Sequence, residues 1–168
     1  MKKAQKKEFI FKISIKEARE DSFIYIDTPA SEIIRRIAIL ETQSLYTFAR
    51  IIVKSFDFYF DHCFGFYSNV NSYHNSFDSY ELFVDIGEGG LNPNTKGVKK
   101  TKIKDVFYEY KKMLFLFDHG DMWQFIVEKE DIKPALSRRK YPCIIEKIGP
   151  SPLQYPPLRE DLEFEEEE

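Results

Sequence analysis

An α+β fold, with a mixed or mainly antiparallel sheet and one principal helix packed on it, is predicted by three observations. In EFIFKISIK, Phe9, Phe11, Ile13 and Ile15 alternate with Glu8, Lys12, Ser14 and Lys16, which is the period-two pattern of a half-buried strand. Leu45, Phe48, Ala49, Ile52 and Phe56 recur at three- and four-residue steps and describe one amphipathic helix. MLFLF and MWQFIVE, two β-prone runs, meet across an Asp-His-Gly-Asp turn, which is a hairpin pattern.

The remaining elements follow in chain order. FIYI is a short β-prone run closed by Asp-Thr-Pro, and EIIRRIAILE is another extended run in which Ile33, Ile37 and Ile39 share parity. Arg35 has that parity too, so the alternation is imperfect. Thr42 or Ser44 can cap the helix, leaving Arg50 and Lys54 outward. DFYFDHCFGFYSN is aromatic at almost every other position and runs into a polar loop, NVNSYHNSFDS; SYELFVDIG reads as a strand. GEGGLNPNTKGVKK is too rich in Gly, Pro and Asn for regular structure, so flexibility is expected there. TKIKDVFYEY has room for one or two helical turns.

Beyond Asp131, Pro134, Pro142, Pro150, Pro152, Pro156 and Pro157 prevent a long helix or a central strand, so an irregular surface segment is expected. Residues 1–158 then form one domain, with no second hydrophobic core, and 159–168 an acidic disordered tail. A chain of 168 residues with 43% hydrophobic and 32% charged content can bury a core unaided, and 16% aromatic residues favour a sheet-rich interior. Two cysteines, Cys63 and Cys143, without CxxC spacing, argue against a disulfide framework. No apolar run of secretory or membrane-spanning length follows the basic N-terminus, so a cytoplasmic location and no membrane partner are expected.

Charge is unevenly placed although the net is only -3. Seven Lys stand in 96–112 against Asp105 and Glu109, while 159–168 carries seven acids against Arg159. Lys99, Lys100, Lys102 and Lys104 are the candidate nucleic-acid contacts, but the chain lacks a helix-turn-helix, zinc-finger or RNP motif.

The hairpin turn and the Asp61-His62 pair carry the chemistry. Gly120 is expected to supply the positive dihedral of the turn, Asp118 or Asp121 to cap its amides, and Trp123 to pack inward with Phe125 and Val127. A sharper reading joins Asp118, His119 and Asp121 with Asp61 and His62 into a small oxygen and nitrogen site, with Asp61, His62, Asp118 and Asp121 as candidate ligands of a divalent cation, or His62 and Asp118 as an acid/base pair. No nucleophile elbow, phosphate loop or HExxH helix accompanies them. Cys63, beside His62, points away from it on a strand and reads as core; His74 reads as an exposed loop residue.

Taken in order, EFIFKISIK, EIIRRIAI, SLYTFARIIVKSFDFYFDHCFGFYS, KIKDVF, MLFLFDHGDMWQFIVE and RRKYPCIIEKIGPSPLQYP resemble the family of a plasmid open reading frame of the pRi type, number three. Its most specific elements are matched by Phe117, Asp118, His119, Gly120, Asp121 and Trp123, by Asp61 and His62, and by Tyr141, Pro142, Gly149 and Pro152. His119 departs from the pattern, where an aromatic is usual, and the stretch from Cys143 to Pro152 departs from the Gly- and Pro-rich ending of many relatives. The resemblance implies an α+β domain of unknown biochemical role, sometimes encoded on plasmids or insertion elements and labelled a resolvase or recombinase. The Arg-rich site of tyrosine recombination and the motif of serine recombination are not recognisable in the chain.

The expected function is therefore binding or scaffolding, with no cofactor. Asp61, His62, Asp118, His119, Asp121 and Trp123 form the expected surface for a protein partner, or alternatively for nucleic acid. A metal-assisted hydrolase or nuclease, and an accessory factor of a mobile element, are the rival readings.

Overall fold

The computed structural model describes residues 4–16 and 28–155; the FIYI run and the acidic tail lie outside them. The chain forms strands β1 (Lys7–Ile15) and β2 (Ile34–Leu40), helix α1 (Leu45–Ser55), strands β3 (Phe64–Tyr67) and β4 (Ser79–Glu81), and short helices α2 (Leu82–Asp85) and α3 (Ile103–Phe107). It closes with strands β5 (Lys112–Phe117), β6 (Trp123–Pro134) and β7 (Cys143–Ile148). One seven-stranded sheet has the order β4-β3-β5-β6-β1-β2-β7. Every strand pairing in it is antiparallel, so of the two expected sheet types the antiparallel one holds.

One face of the sheet is the core. Phe9, Phe11 and Ile13 of β1, Phe64 and Phe66 of β3, Phe115 and Phe117 of β5, and Trp123, Phe125 and Val127 of β6 meet Phe48, Ala49, Ile52 and Val53 of α1. Ser44 caps the helix, its Oγ accepting from the Thr47 amide at 3.1 Å. Phe48 is the helix's main plug, its ring 4.6 Å from Phe11 and stacked on Phe66 at 5.8 Å. Arg50 and Lys54 face water, as the spacing requires. Contrary to the expectation of a single core, a smaller cluster of Tyr67, Leu114 and Leu116 lies apart from it, with Tyr73, Leu91 and Met122 packed against it.

Arg35 does not interrupt β2; it is fully buried on the core face. Its guanidinium donates to the Ser55 carbonyl at the end of α1 (2.7 Å), to the Ile148 carbonyl of β7 (2.8 Å) and to Ser151 Oγ (3.1 Å), and lies 5.0 Å from the centre of the Phe56 ring. Ser151 and Lys147 in turn hold the Asp57 carboxylate, which keeps its pKa below the usual range.

Two element expectations are corrected. SYELFVDIG is not one strand: β4 stops at Glu81 and the chain turns into α2, because the Glu81 carboxylate is drawn inward by Tyr67 and the Leu91 amide. The Pro-containing C-terminal segment is not wholly irregular, since the proline-free CIIEKI between Pro142 and Pro150 pairs with β2 as an edge strand. Gly149 ends it with φ +76°, and a Cβ there would stand 2.3 Å from the Glu32 carbonyl, so no larger residue fits.

Candidate functional site

The register that sets Phe64 opposite Phe117 brings the residues before β3 beside the turn after β5, where the Asp118 amide donates to the Cys63 carbonyl at 3.0 Å. Asp118 builds this turn. Its Oδ1 accepts from the Gly120 amide (2.9 Å) and the Asp121 amide (3.2 Å), as expected for a capping aspartate. The positive dihedrals fall on Asp118 (φ 64°) and Met122 (φ 58°), and not on Gly120 as the sequence suggested. An aspartate tolerates that backbone because its short side chain replaces the missing local hydrogen bonds.

The other Asp118 oxygen faces His62. Nε2 of His62 lies 3.4 Å from Asp118 Oδ2, 3.5 Å from Asp61 Oδ1 and 2.9 Å from the Tyr155 hydroxyl. Tyr155 donates to Asp61 Oδ2 at 3.0 Å. Gln154 clamps this arrangement: its side chain accepts from the Tyr59 amide (2.7 Å) and donates to the Tyr59 carbonyl (3.1 Å) and to Asp61 (3.3 Å). Asp121 sits beside Asp118, and burial together with that neighbouring charge pushes its carboxyl pKa up. The Tyr155 phenol is pushed up to about 12 by desolvation and by Asp61, so it remains a donor at neutral pH.

The two Asp/His groups seen in the sequence therefore share one rim. The Asp118 side chain is 8% exposed, against 37% for His62 and 47% for Asp61, so one fixed carboxylate backs an accessible imidazole and carboxylate. A single Nε2–H can serve one acceptor at a time, which leaves carboxylate oxygens free for an outside donor. Among the described residues, no group of three or more His, Cys, Asp or Glu side chains is arranged to hold a metal ion. Gln154 and Tyr155 were missed by sequence reasoning; the Gly149 and Pro152 elements just before them were the available signal.

Two expected surface residues leave the rim. Trp123 is 1% exposed, packed 4.8 Å from Phe58, and its indole donates to the Gln154 carbonyl at 3.3 Å. It cannot touch a partner; it positions the segment that carries Tyr155. His119 joins Tyr67 and Glu81 instead, with Nε2 3.3 Å from the Tyr67 hydroxyl and 3.9 Å from Glu81 Oε2, and its ring 4.9 Å from Phe83. Cys63 is half-buried with its thiol pKa raised by burial, and His74 is exposed.

Burial holds the His119 pKa below its usual value, despite the opposing pull of Glu81 and Asp118. A depressed folded-state pKa makes the neutral ring part of the native state. Its contribution is present above the unfolded value of about 6.5 and is lost as pH falls through the folded value. His119→Phe, which restores the aromatic usual in the resembling family, is expected to lose less stability between pH 7.5 and 5 than the unsubstituted protein. Urea midpoints at both pH values measure this, and an equal drop in both proteins would refute it.

Lys99, Lys100, Lys102 and Lys104 are all exposed on a different stretch. Its backbone is tied down where flexibility was expected: Leu45 and Tyr46 donate to the carbonyls of Thr101 (2.9 Å) and Val98 (3.1 Å), and Asp85 accepts from the Val98 amide (2.7 Å). These bonds also consume the first amides of α1.

A fully antiparallel sheet covered on one face by a principal helix places the chain in the α+β class. The chain belongs to the plasmid pRiA4b ORF-3-like protein family, whose model matches residues 23–153. It is similar to the crystal structure of a protein of unknown function, MM3350 from Methanosarcina mazei Go1, with 26% identity and a TM-score of 0.63 over 87% of this chain and 72% of that one. No curated protein matches. Among the described residues no helix is long and apolar enough to cross a membrane.

Proposed function

We propose that the chain is a protein-binding domain whose rim of Asp61, His62, Asp118 and Asp121 takes a basic segment of a partner protein. The supporting observation is the convergence of Asp61, Asp118 and Tyr155 on His62 Nε2 within 3.5 Å. Exposed apolar residues stand close to these acids in the chain or beside groups bonded to them: Tyr59, two residues before Asp61, is 76% exposed, Leu153, next to Gln154, 65%, and Tyr155, which donates to Asp61, 52%. Carboxylates beside exposed rings suit lysine and arginine side chains, which present a charged head on an apolar stem. The plasmid origin in the family's description is compatible with an accessory role on mobile DNA.

Fluorescence anisotropy with Lys/Arg-rich, neutral and acidic peptides of equal length tests this. Basic peptides are expected to bind preferentially, and Asp61→Asn with Asp121→Asn to weaken them about tenfold, a change of about 1.4 kcal/mol. Asp118 is left intact because it builds the turn. Equal binding of acidic and basic peptides, or no effect of the two substitutions, would refute the reading.

A further inference from the structure

We infer that a second site, the groove between β4, α2 and residues 96–105, takes a phosphate-bearing, hydroxyl-rich ligand of the nucleotide class. The groove has a volume of about 740 Å³, within the span of about 300–1,000 Å³ common to small-molecule sites. Tyr80, Asp85, Lys96, Lys100, Thr101 and Asp105 supply its polar lining, and none of them belongs to the rim around His62.

The groove is built on fixed backbone. Lys96 extends the edge of the sheet through a bridge to Tyr80, its amide donating to the Ser79 carbonyl (3.1 Å) and its carbonyl accepting from the Glu81 amide (2.9 Å). Gly97 follows, where a Cβ would stand 2.6 Å from Asp85 Oδ1, so a larger residue would displace the carboxylate that holds the loop.

The charges are arranged asymmetrically. Lys96 and Lys100 are exposed, and among the described residues neither ammonium meets a carboxylate at ion-pair distance. Asp85 is occupied by the Val98 amide (2.7 Å) and the Lys99 amide (3.2 Å), so it serves the loop. Asp105 gives one oxygen to the Lys102 amide (2.9 Å) and keeps the other for a ligand hydroxyl. Thr101 Oγ1 donates to the Gly97 carbonyl at 2.7 Å and so offers an acceptor. Tyr80, its phenol pushed up to about 12 by burial and by Asp78, stays a donor.

Two free ammonium groups select phosphate, and acceptors across the groove select hydroxyls; a nucleotide or pentose phosphate carries both. Lys99, Lys102 and Lys104 continue the basic surface outside, so the same chemistry can come from a free nucleotide or from a nucleic-acid strand.

Titration calorimetry on the full chain with AMP, adenosine, inorganic phosphate and a short single-stranded oligouridylate tests the inference. AMP is expected to bind, adenosine and phosphate each about tenfold or more weaker, and Lys96→Gln with Lys100→Gln to weaken AMP about tenfold at an unchanged melting temperature. Oligouridylate binding with the same lysine dependence, without AMP binding, would assign the strand as the source. Absence of binding by both AMP and oligouridylate at about 1 mM, binding indifferent to the two lysines, or phosphate binding as well as AMP would overturn it. Asp61→Asn with Asp121→Asn should leave this titration unchanged, which separates its failure from that of the peptide-binding reading.

Discussion

Arg35→Ala is expected to cost about 3–5 kcal/mol, because truncating a buried, hydrogen-bonded cation strands its partners. The Ser55 carbonyl, the Ile148 carbonyl and Ser151 Oγ would lose their donor, the first of them fully buried, and Phe56 would lose the guanidinium packed on it. For a chain of this size that corresponds to a fall in melting temperature of about 10 °C. Arg35→Lys should fall between the two proteins. It keeps the charge, but an ammonium cannot reach three acceptors spread over the end of α1, β7 and the following strap. Chemical denaturation of both variants measures the order, and a fully stable Arg35→Ala would mean that β7 is held by its ladder alone.

Arg35 also shows where sequence reasoning stops. The parity of Ile33, Arg35, Ile37 and Ile39 was correct, and all four are fully buried. A charged residue looked like a flaw in the pattern because, apart from the adjacent Ile34 carbonyl, its acceptors lie 20 to 116 residues away. Strand alternation and helix spacing are local properties, so β1, β2, α1 and the β5–β6 hairpin were readable. The break at Glu81 was not, since it depends on Tyr67 and Leu91 reaching one carboxylate.

The candidate rim divides along the same line. Asp61, His62, Asp118 and Asp121 could be named because polar groups cluster at a turn and at a strand entry. That they meet follows only from the pairing of Phe64 with Phe117. His119 stands one residue from Asp118 yet belongs to the Tyr67–Glu81 cluster, because Asp118's left-handed backbone separates the directions of the two side chains. Gln154 and Tyr155 lie in a proline-spaced stretch without periodicity, so only the Gly149 and Pro152 elements before them gave a signal, and it named no side chain.

Trp123 links the core to that rim, and two substitutions separate its contributions. Trp123→Ala removes a fully packed indole from contact with Phe58 and Phe125 and is expected to cost about 3–5 kcal/mol, most of it from the cavity left behind. Trp123→Phe keeps an aromatic ring in the same contacts but drops the bond from the indole to the Gln154 carbonyl, worth about 1 kcal/mol. The strap is then held to this side chiefly by Gln154's own bonds to Tyr59 and Asp61. In Trp123→Phe the Tyr59 amide, which donates to Gln154 at 2.7 Å, should exchange its hydrogen faster while global stability changes little. Tyr155 would be released with it, and His62 would lose its nearest acceptor. Hydrogen exchange that stays unchanged at Tyr59, with stability also unchanged, would show that the indole bond does not hold the strap and that the rim is set by the turn alone.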